Sequence, residues 1–419
     1  MNTVQTVFHP HVGAPTVPAL QRRSIAPLTF AAQVVFVLLF FVGDAKGNPW
    51  FAWIPFDLTV ATGCVVLTFG LLSLLITNGK ISKQVMWMIA FFFVMSFAAW
   101  WTQWTPYGLD KAERFFTLAF MAAVLPEMLF TDLAAVKRFV ACIIVFGTVI
   151  SLGALFQLAG GSRLGERVTG FITMTISLGR FAGMALLGLY ATMFRSGGKK
   201  LWLLLLCLPL FLVVVASGAR GPLIFLVGVI ALLTARFSLS NRYSLVLALV
   251  LILATGLLLS RYAESLPQAS INRIEGLLQR QYDDSANERV TAGSAAAESI
   301  GRNPFGLGFG GFGRAYSFGM GTDRSYPHNL VLEIAAENGW LAAALFVCIA
   351  GFALLRSYRA AVLEPEFRPF LAIFVFLLAN TLVSGDINDN RLVFALLGIG
   401  LQAQTLCTKT PDMQYQSGL

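Results

Sequence analysis

Twelve long apolar runs, parted by short polar turns, dominate this chain of 419 residues. They fall at 27–44, 57–77, 84–102, 115–131, 138–159, 173–194, 201–217, 221–236, 243–260, 338–355, 369–385 and 391–407. A helix crossing the hydrocarbon core of a bilayer needs about 20 mainly apolar residues, so runs of this length read as spanning helices. Membrane barrel strands alternate between apolar and polar positions, and these runs are continuous. Hydrocarbon offers the backbone no hydrogen-bond partner, which leaves the helix as the conformation open to such a run. The predicted fold is therefore all-α: a polytopic transmembrane helical bundle of about 12 spans, with one long loop that contains short helices. Composition agrees, with 57% hydrophobic and 12% charged residues. Soluble domains hold about 45–50% and about 25%.

Loop charge predicts the orientation. Cytoplasmic loops of membrane proteins collect Lys and Arg. With the N-terminus inside, fifteen of them fall on the cytoplasmic side and seven in the short outside loops. The long loop is exempt, because long loops cross regardless of charge. The expected layout is a cytoplasmic tail 1–26, spans one to nine over 27–260, a periplasmic loop 261–337, spans ten to twelve over 338–407, and a cytoplasmic tail 408–419. The mostly polar start, with Arg22 and Arg23 before the first run, reads as a tail and not as a secretory signal. The same positive-inside bias accounts for the net charge of +9, so nucleic acid is not an expected partner.

Several chemistries find no motif. The five cysteines lie in apolar runs without CxxC spacing, and no HExxH is present, so no metal site is expected. The glycine run 306–313 lacks G-K-[ST], is not a phosphate loop, and reads as a hinge. Asp283 with Asp284, and Asp386 with Asp389, form acidic pairs that could hold a divalent cation but more often cap helices. No cofactor is expected.

What remains is a set of polar residues on the outer side. His328, in "SYPHNLVLEIAAENGW", is one of three histidines and the only one outside the N-terminal arm. A histidine accepts protons near neutrality, and a helix start disfavours its charged form, so a neutral imidazole suited to general-base work is expected here. The alternative is a capping histidine satisfied by backbone. Glu333 and Glu337 share a helix face at i,i+4, either as support for the site or as polar helix contacts. Arg167, Arg180, Arg220 and Arg289 fall on the same side. An arginine at membrane depth costs about 2.5–3.5 kcal/mol on insertion scales, so something must offset it. A diphosphate suits the two-pronged guanidinium. Snorkelling to headgroups, or pairing with Glu166 or Glu288, would also do so.

The segment "PHNLVLEIAAENGW" resembles the signature of the bacterial O-antigen ligase and polysaccharide polymerase family. "ERVTAGSAAAESIGRNPFGLGFGGFG" (288–313) is similar to the segment the family carries upstream, "SGARG" to its Ser-x-x-Arg-Gly turn, and "RVTGF" (167–171) to its Arg-x-x-Gly loop. Together these cover about 160–350. The resemblance implies a metal-independent membrane glycosyltransferase of the bacterial inner membrane, active at its periplasmic face, with 261–337 as the catalytic loop. Its donor would be a glycan on undecaprenyl diphosphate, and its acceptor a glycan or the lipid A core. His328 would match the family's essential base, with Asn329 beside it, and Arg220 and Arg289 its diphosphate-binding arginines; Arg167 and Arg180 are further carry-overs. The spacing in "YPHN" leans toward polymerisation over ligation. A flippase or transporter of lipid-linked glycan is the rival class. Transporters often show two related halves and a midplane site, whereas here no repeat is seen and the polar residues gather at one face.

Overall fold

The computed structural model describes residues 19–76, 82–160, 168–172, 174–195, 203–237, 284–316 and 324–408. These residues form helices and turns, with no strand among them. In chain order the helices are α1 (Ala19–Ala45), α2 (Leu58–Ile76), α3 (Lys83–Ser96), α4 (Pro106–Arg114), α5 (Phe120–Val124), α6 (Pro126–Leu129), α7 (Leu133–Ala159), α8 (Thr175–Arg195) and α9 (Leu203–Ala216). They continue with α10 (Arg220–Phe237), α11 (Asp284–Arg302), α12 (Gly311–Ala315), α13 (Leu330–Asn338), α14 (Trp340–Leu363), α15 (Arg368–Thr381) and α16 (Arg391–Thr408).

Among the described residues, seven helical segments are long and apolar enough to cross a membrane, and Thr29–Ala45 and Leu205–Ala216 are shorter apolar helices. Three of the twelve runs depart from a simple span. The ninth, 243–260, lies outside the described residues. The fourth, 115–131, is not one helix: it passes through a π-helical turn at Phe115–Ala119, then α5, then α6. Pro126 starts α6, and a proline inside a helix removes a donor and clashes with the preceding turn. The eleventh run yields α15, whose 14 residues span about 21 Å, short of the ~30 Å hydrocarbon core.

Helices α8 and α16 are the inner ones. The spanning windows of α8 and α16 are 83% and 78% buried, against 22% for α2, whose leucines face outward. Small residues let the inner helices approach their neighbours. A Cβ on Gly147 of α7 would meet the Phe181 carbonyl of α8 at 2.6 Å, and one on Gly398 of α16 would run into the Ala123 carbonyl of α5. Packed rings fill the space between α3, the π turn, α14 and α16. Phe92 stacks on Phe115 at 4.8 Å, and Phe91 lies 5.8 Å from Phe346 and 6.3 Å from Phe394.

The Ala-rich stretch before "RNP" forms α11, one of the short helices expected in the long loop. The glycine stretch after it is packed, in contrast to the expected hinge. Gly306, Gly308 and Gly310 have φ of 84°, 83° and 71°, a region that favours glycine. The backbone they shape meets the end of α13: Leu307 N–H donates to the Ala336 carbonyl (2.9 Å) and Gly308 N–H to that of Glu337 (2.8 Å). These are orphan carbonyls at a helix C-terminus, so the glycine stretch serves as a cap.

Candidate active site

The N-terminal ends of α8, α10, α13 and α16 meet around the turn 382–390, which leads from α15 into α16. Asp386 shapes this turn, its Oδ1 accepting from the Asn388 and Asp389 N–H groups at 2.9 and 2.8 Å. Gly385 supplies a φ of 80°. Arg180, in the second turn of α8, is 7% exposed. Its Nη2 donates to the Ser384 carbonyl (2.8 Å) and the Asn380 carbonyl (3.4 Å), and its Nη1 to Asn390 Oδ1 (3.2 Å). Those acceptors offset the cost of burying the guanidinium. Arg180 thus anchors the turn, and much of its donor capacity is spent on protein rather than free for a ligand.

His328 stands beside this turn. Among the described residues it is the one non-glycine residue with positive φ, at 57°. Left-handed backbone is strained for a side chain with a Cβ and, where it persists, points to function. Its ring lies 4.4 Å from the Tyr326 ring. Its Nδ1 is buried without a hydrogen-bond partner. Burial, and then the nearby Arg289 charge, push its pKa down to about 4. The imidazole is therefore neutral at pH 7, as a proton acceptor must be. The sequence traced that neutrality to a helix dipole; burial and Arg289 supply it here.

Asn329, not His328, caps α13. Its Oδ1 accepts from the N–H groups of Val331 (3.0 Å) and Leu332 (3.1 Å), and its Nδ2 donates to the Leu382 carbonyl (3.0 Å). The cap thus ties α13 to the turn.

Glu333 and Glu337 share a face, as their spacing indicates, and that face meets Lys111 of α4. Lys111 Nζ is 2.6 Å from Glu333 Oε1 and 2.8 Å from Glu337 Oε2, with all three side chains 1% exposed. Glu337 Oε1 accepts a hydrogen bond from Nζ at 2.8 Å; at Glu333 the contact is ionic without hydrogen-bond geometry. Burial drives Glu333 up to about 8, against the pull of Lys111 and with the push of Asp386 and Glu337. Lys111 stays charged, since its carboxylate neighbours outweigh its own burial. The sequence gives no sign of this role for Lys111, because its partners lie more than 220 residues away.

Arg220 opens α10 after the turn Ser217–Ala219, in which Gly218 has φ of 64°. The next residue, Gly221, lies against Asn380 and Val383, which puts Arg220 at the same end of the bundle. Arg289 projects from α11, close enough to His328 and to Arg180 to act on both electrostatically. Its Nε is buried and meets no acceptor. Arg167 lies outside the described residues. Just after it, Gln157 Oε1 accepts from the Thr169 and Gly170 N–H groups at 3.1 and 2.9 Å, fixing the end of that loop on α7.

The structure thus gathers a neutral, strained imidazole, two arginines that face it or adjoin its turn, and a buried ionic clamp on its helix. Such a group can accept a proton from a hydroxyl and neutralise an anionic leaving group next to it. Tyr326 is a further member that sequence reading passed over; its place two residues before His328 was the available signal.

No curated protein matches the chain. Residues 202–347, about a third of it, match the family model described as O-Antigen ligase. That region carries Arg220, Arg289, His328, Asn329, Glu333 and Glu337, and not Arg167, Arg180 or Lys111. With the apolar helices, it points to a bacterial membrane protein of polysaccharide synthesis. The match agrees with the motifs: over residues 202–347 the chain is similar to the O-antigen ligase family.

Proposed function

We propose that this protein transfers a glycan from a polyprenyl diphosphate to a sugar hydroxyl at the periplasmic face of the inner membrane, without a metal ion. His328 takes the proton of the acceptor hydroxyl. The freed oxygen forms a bond to the anomeric carbon of the donor, and the bond from that carbon to the diphosphate oxygen breaks, its electron pair leaving with the diphosphate. Arg289 and Arg220 hold that diphosphate and stabilise the charge it gains. Arg180 adds positive charge from deeper in the bundle while it anchors the turn. Undecaprenyl diphosphate is the carrier the family resemblance implies, and both termini lie in the cytoplasm on the charge count.

The observation that carries this reading is the pairing of His328 with Arg289. Burial, with the Arg289 cation beside it, holds the histidine neutral, and the buried Nε of Arg289 has no protein acceptor. An incoming diphosphate would satisfy that arginine and leave a base ready beside it. The spacing around "YPHN" favours a second lipid-linked repeat as acceptor, which makes the reaction a polymerisation. The matched family description favours the lipid A core, which makes it a ligation.

Glycan on the carrier in cells lacking the protein decides between them. Single repeats alone indicate a polymerase; long chains on the carrier, with none on the lipid A core, indicate a ligase. Repeats held on the cytoplasmic side would refute both and indicate a flippase.

A further inference from the structure

We propose that Lys111 is the positioning residue for His328, clamping α13 and the turn 382–390 into one rigid frame. The proposal rests on the reading of His328 as base. Lys111 has two attachments at once. Its ammonium meets Glu333 and Glu337, one helical turn apart on α13, and its backbone carbonyl accepts from Asn388 Nδ2 at 3.1 Å. One residue of α4 thus holds both the helix that follows His328 and the turn to which Asn329 is tied.

The other anchors of α13 leave it needing this clamp. The helix has nine residues, too few to persist alone in water, so tertiary contacts set its place. Asn329 holds its first turn and the glycine stretch its last carbonyls. Rotation about the helix axis is left to the side chains: Leu330 and Ile334 turn into the apolar core, and the i,i+4 carboxylates add a directional hold by sharing one ammonium. A rotation of α13 would carry His328 out of its recess. A displacement near 1 Å at a reacting group costs about 100-fold in rate.

A buried lysine between two carboxylates is also an expensive device. Replacing a buried ionic group by neutral residues of similar size is often harmless to stability, whereas removing one partner is not. Its presence here is explained by geometry more than by stability. The groups that face the ammonium are Tyr107 on its own helix, Glu333 and Glu337 on α13, and Asp386 on the turn.

The test reads His328 directly. The chain has three histidines, so His9→Gln with His11→Gln leaves His328 as the sole imidazole. Diethyl pyrocarbonate attacks neutral imidazole, and its rate against pH reports the titration in the full-length chain in detergent. The parent should show an inflection at about 4. The triple variant Lys111→Met, Glu333→Gln, Glu337→Gln strands no buried charge, and with α13 unclamped the inflection should rise toward the ordinary value of about 6.5. Turnover should fall about 100-fold. A folded triple variant that titrates and turns over as the parent does overturns the proposal. Should the triple variant not fold, Lys111→Arg keeps the charge with a longer, planar group. It should lower kcat by at least about tenfold with donor KM little changed, and parental kcat would overturn the proposal. A parent that titrates at about 4 yet transfers no glycan would sink the transferase reading alone.

Discussion

Removing the Arg289 charge tests how the site keeps its histidine neutral. Two causes lower the His328 pKa from 6.5 to about 4: burial first, the Arg289 charge second. The full displacement is 6.5 − 4, or about 2.5, equal to about 3.4 kcal/mol between the two protonation states at about 1.36 kcal/mol per pH unit; His328 is only partly buried, so water screening makes that an upper bound. Since Arg289 is the smaller cause, it supplies less than half. Arg289→Gln, in the chain whose only histidine is His328, should therefore move the carbethoxylation inflection up from about 4 to no higher than about 5. The same variant should weaken donor binding, because the diphosphate loses a charged contact worth about 1.5–3 kcal/mol. An inflection that stays at 4 would show that Arg289 does not act on His328. An inflection at 6.5 would show that burial is not the leading cause.

Three further expectations follow from the packing. Arg180→Lys cannot reach the carbonyls of Ser384 and Asn380 and Oδ1 of Asn390 together, so it should cost about 2 kcal/mol or more, seen as a lower melting temperature in detergent. Gly398→Ala drives a Cβ into the Ala123 carbonyl and should destabilise the bundle by about 1–3 kcal/mol, whereas Gly228→Ala, which meets nothing within 4 Å, should not. Stability should also follow His328. Its folded pKa lies below the unfolded value, so the unfolded chain binds the proton first as pH falls. The contribution is complete above 6.5 and is lost between 6.5 and about 4, and Arg289→Gln should shrink that loss. Thermal melts of both chains across that range check it.

The sequence shows the helices through their apolar runs because hydrocarbon allows such runs little else. It shows less where a run breaks for local reasons. Mean hydropathy over 115–131 is blind to the π turn at Phe115–Ala119 and to the kink at Pro126, which a closer look at that proline would have flagged. His328 and Asn329 were legible because a polar pair at the mouth of an apolar helix stands out. The clamp was half legible. Spacing put Glu333 and Glu337 on one face, yet the partner that gives the face its meaning lies on α4. Arg180 was read as a ligand grip because its acceptors, the carbonyls of Asn380 and Ser384, are backbone groups some 200 residues on. Side-chain type says little about a bond made to a carbonyl. The role of α11 in bringing Arg289 to His328 depends on how that helix docks, which local composition does not encode.

The most direct measurement is transfer by the purified full-length chain, with undecaprenyl-diphosphate-linked glycan as donor, in parent and His328→Ala forms, with donor binding measured on both. The account predicts that donor binding survives in His328→Ala while transfer falls by about 100- to 10,000-fold, the range a general base supplies. It also predicts that kcat/KM for the parent holds as pH falls and turns down near 4. Transfer by a folded His328→Ala chain at a rate near that of the parent would contradict the assignment of His328 as the base.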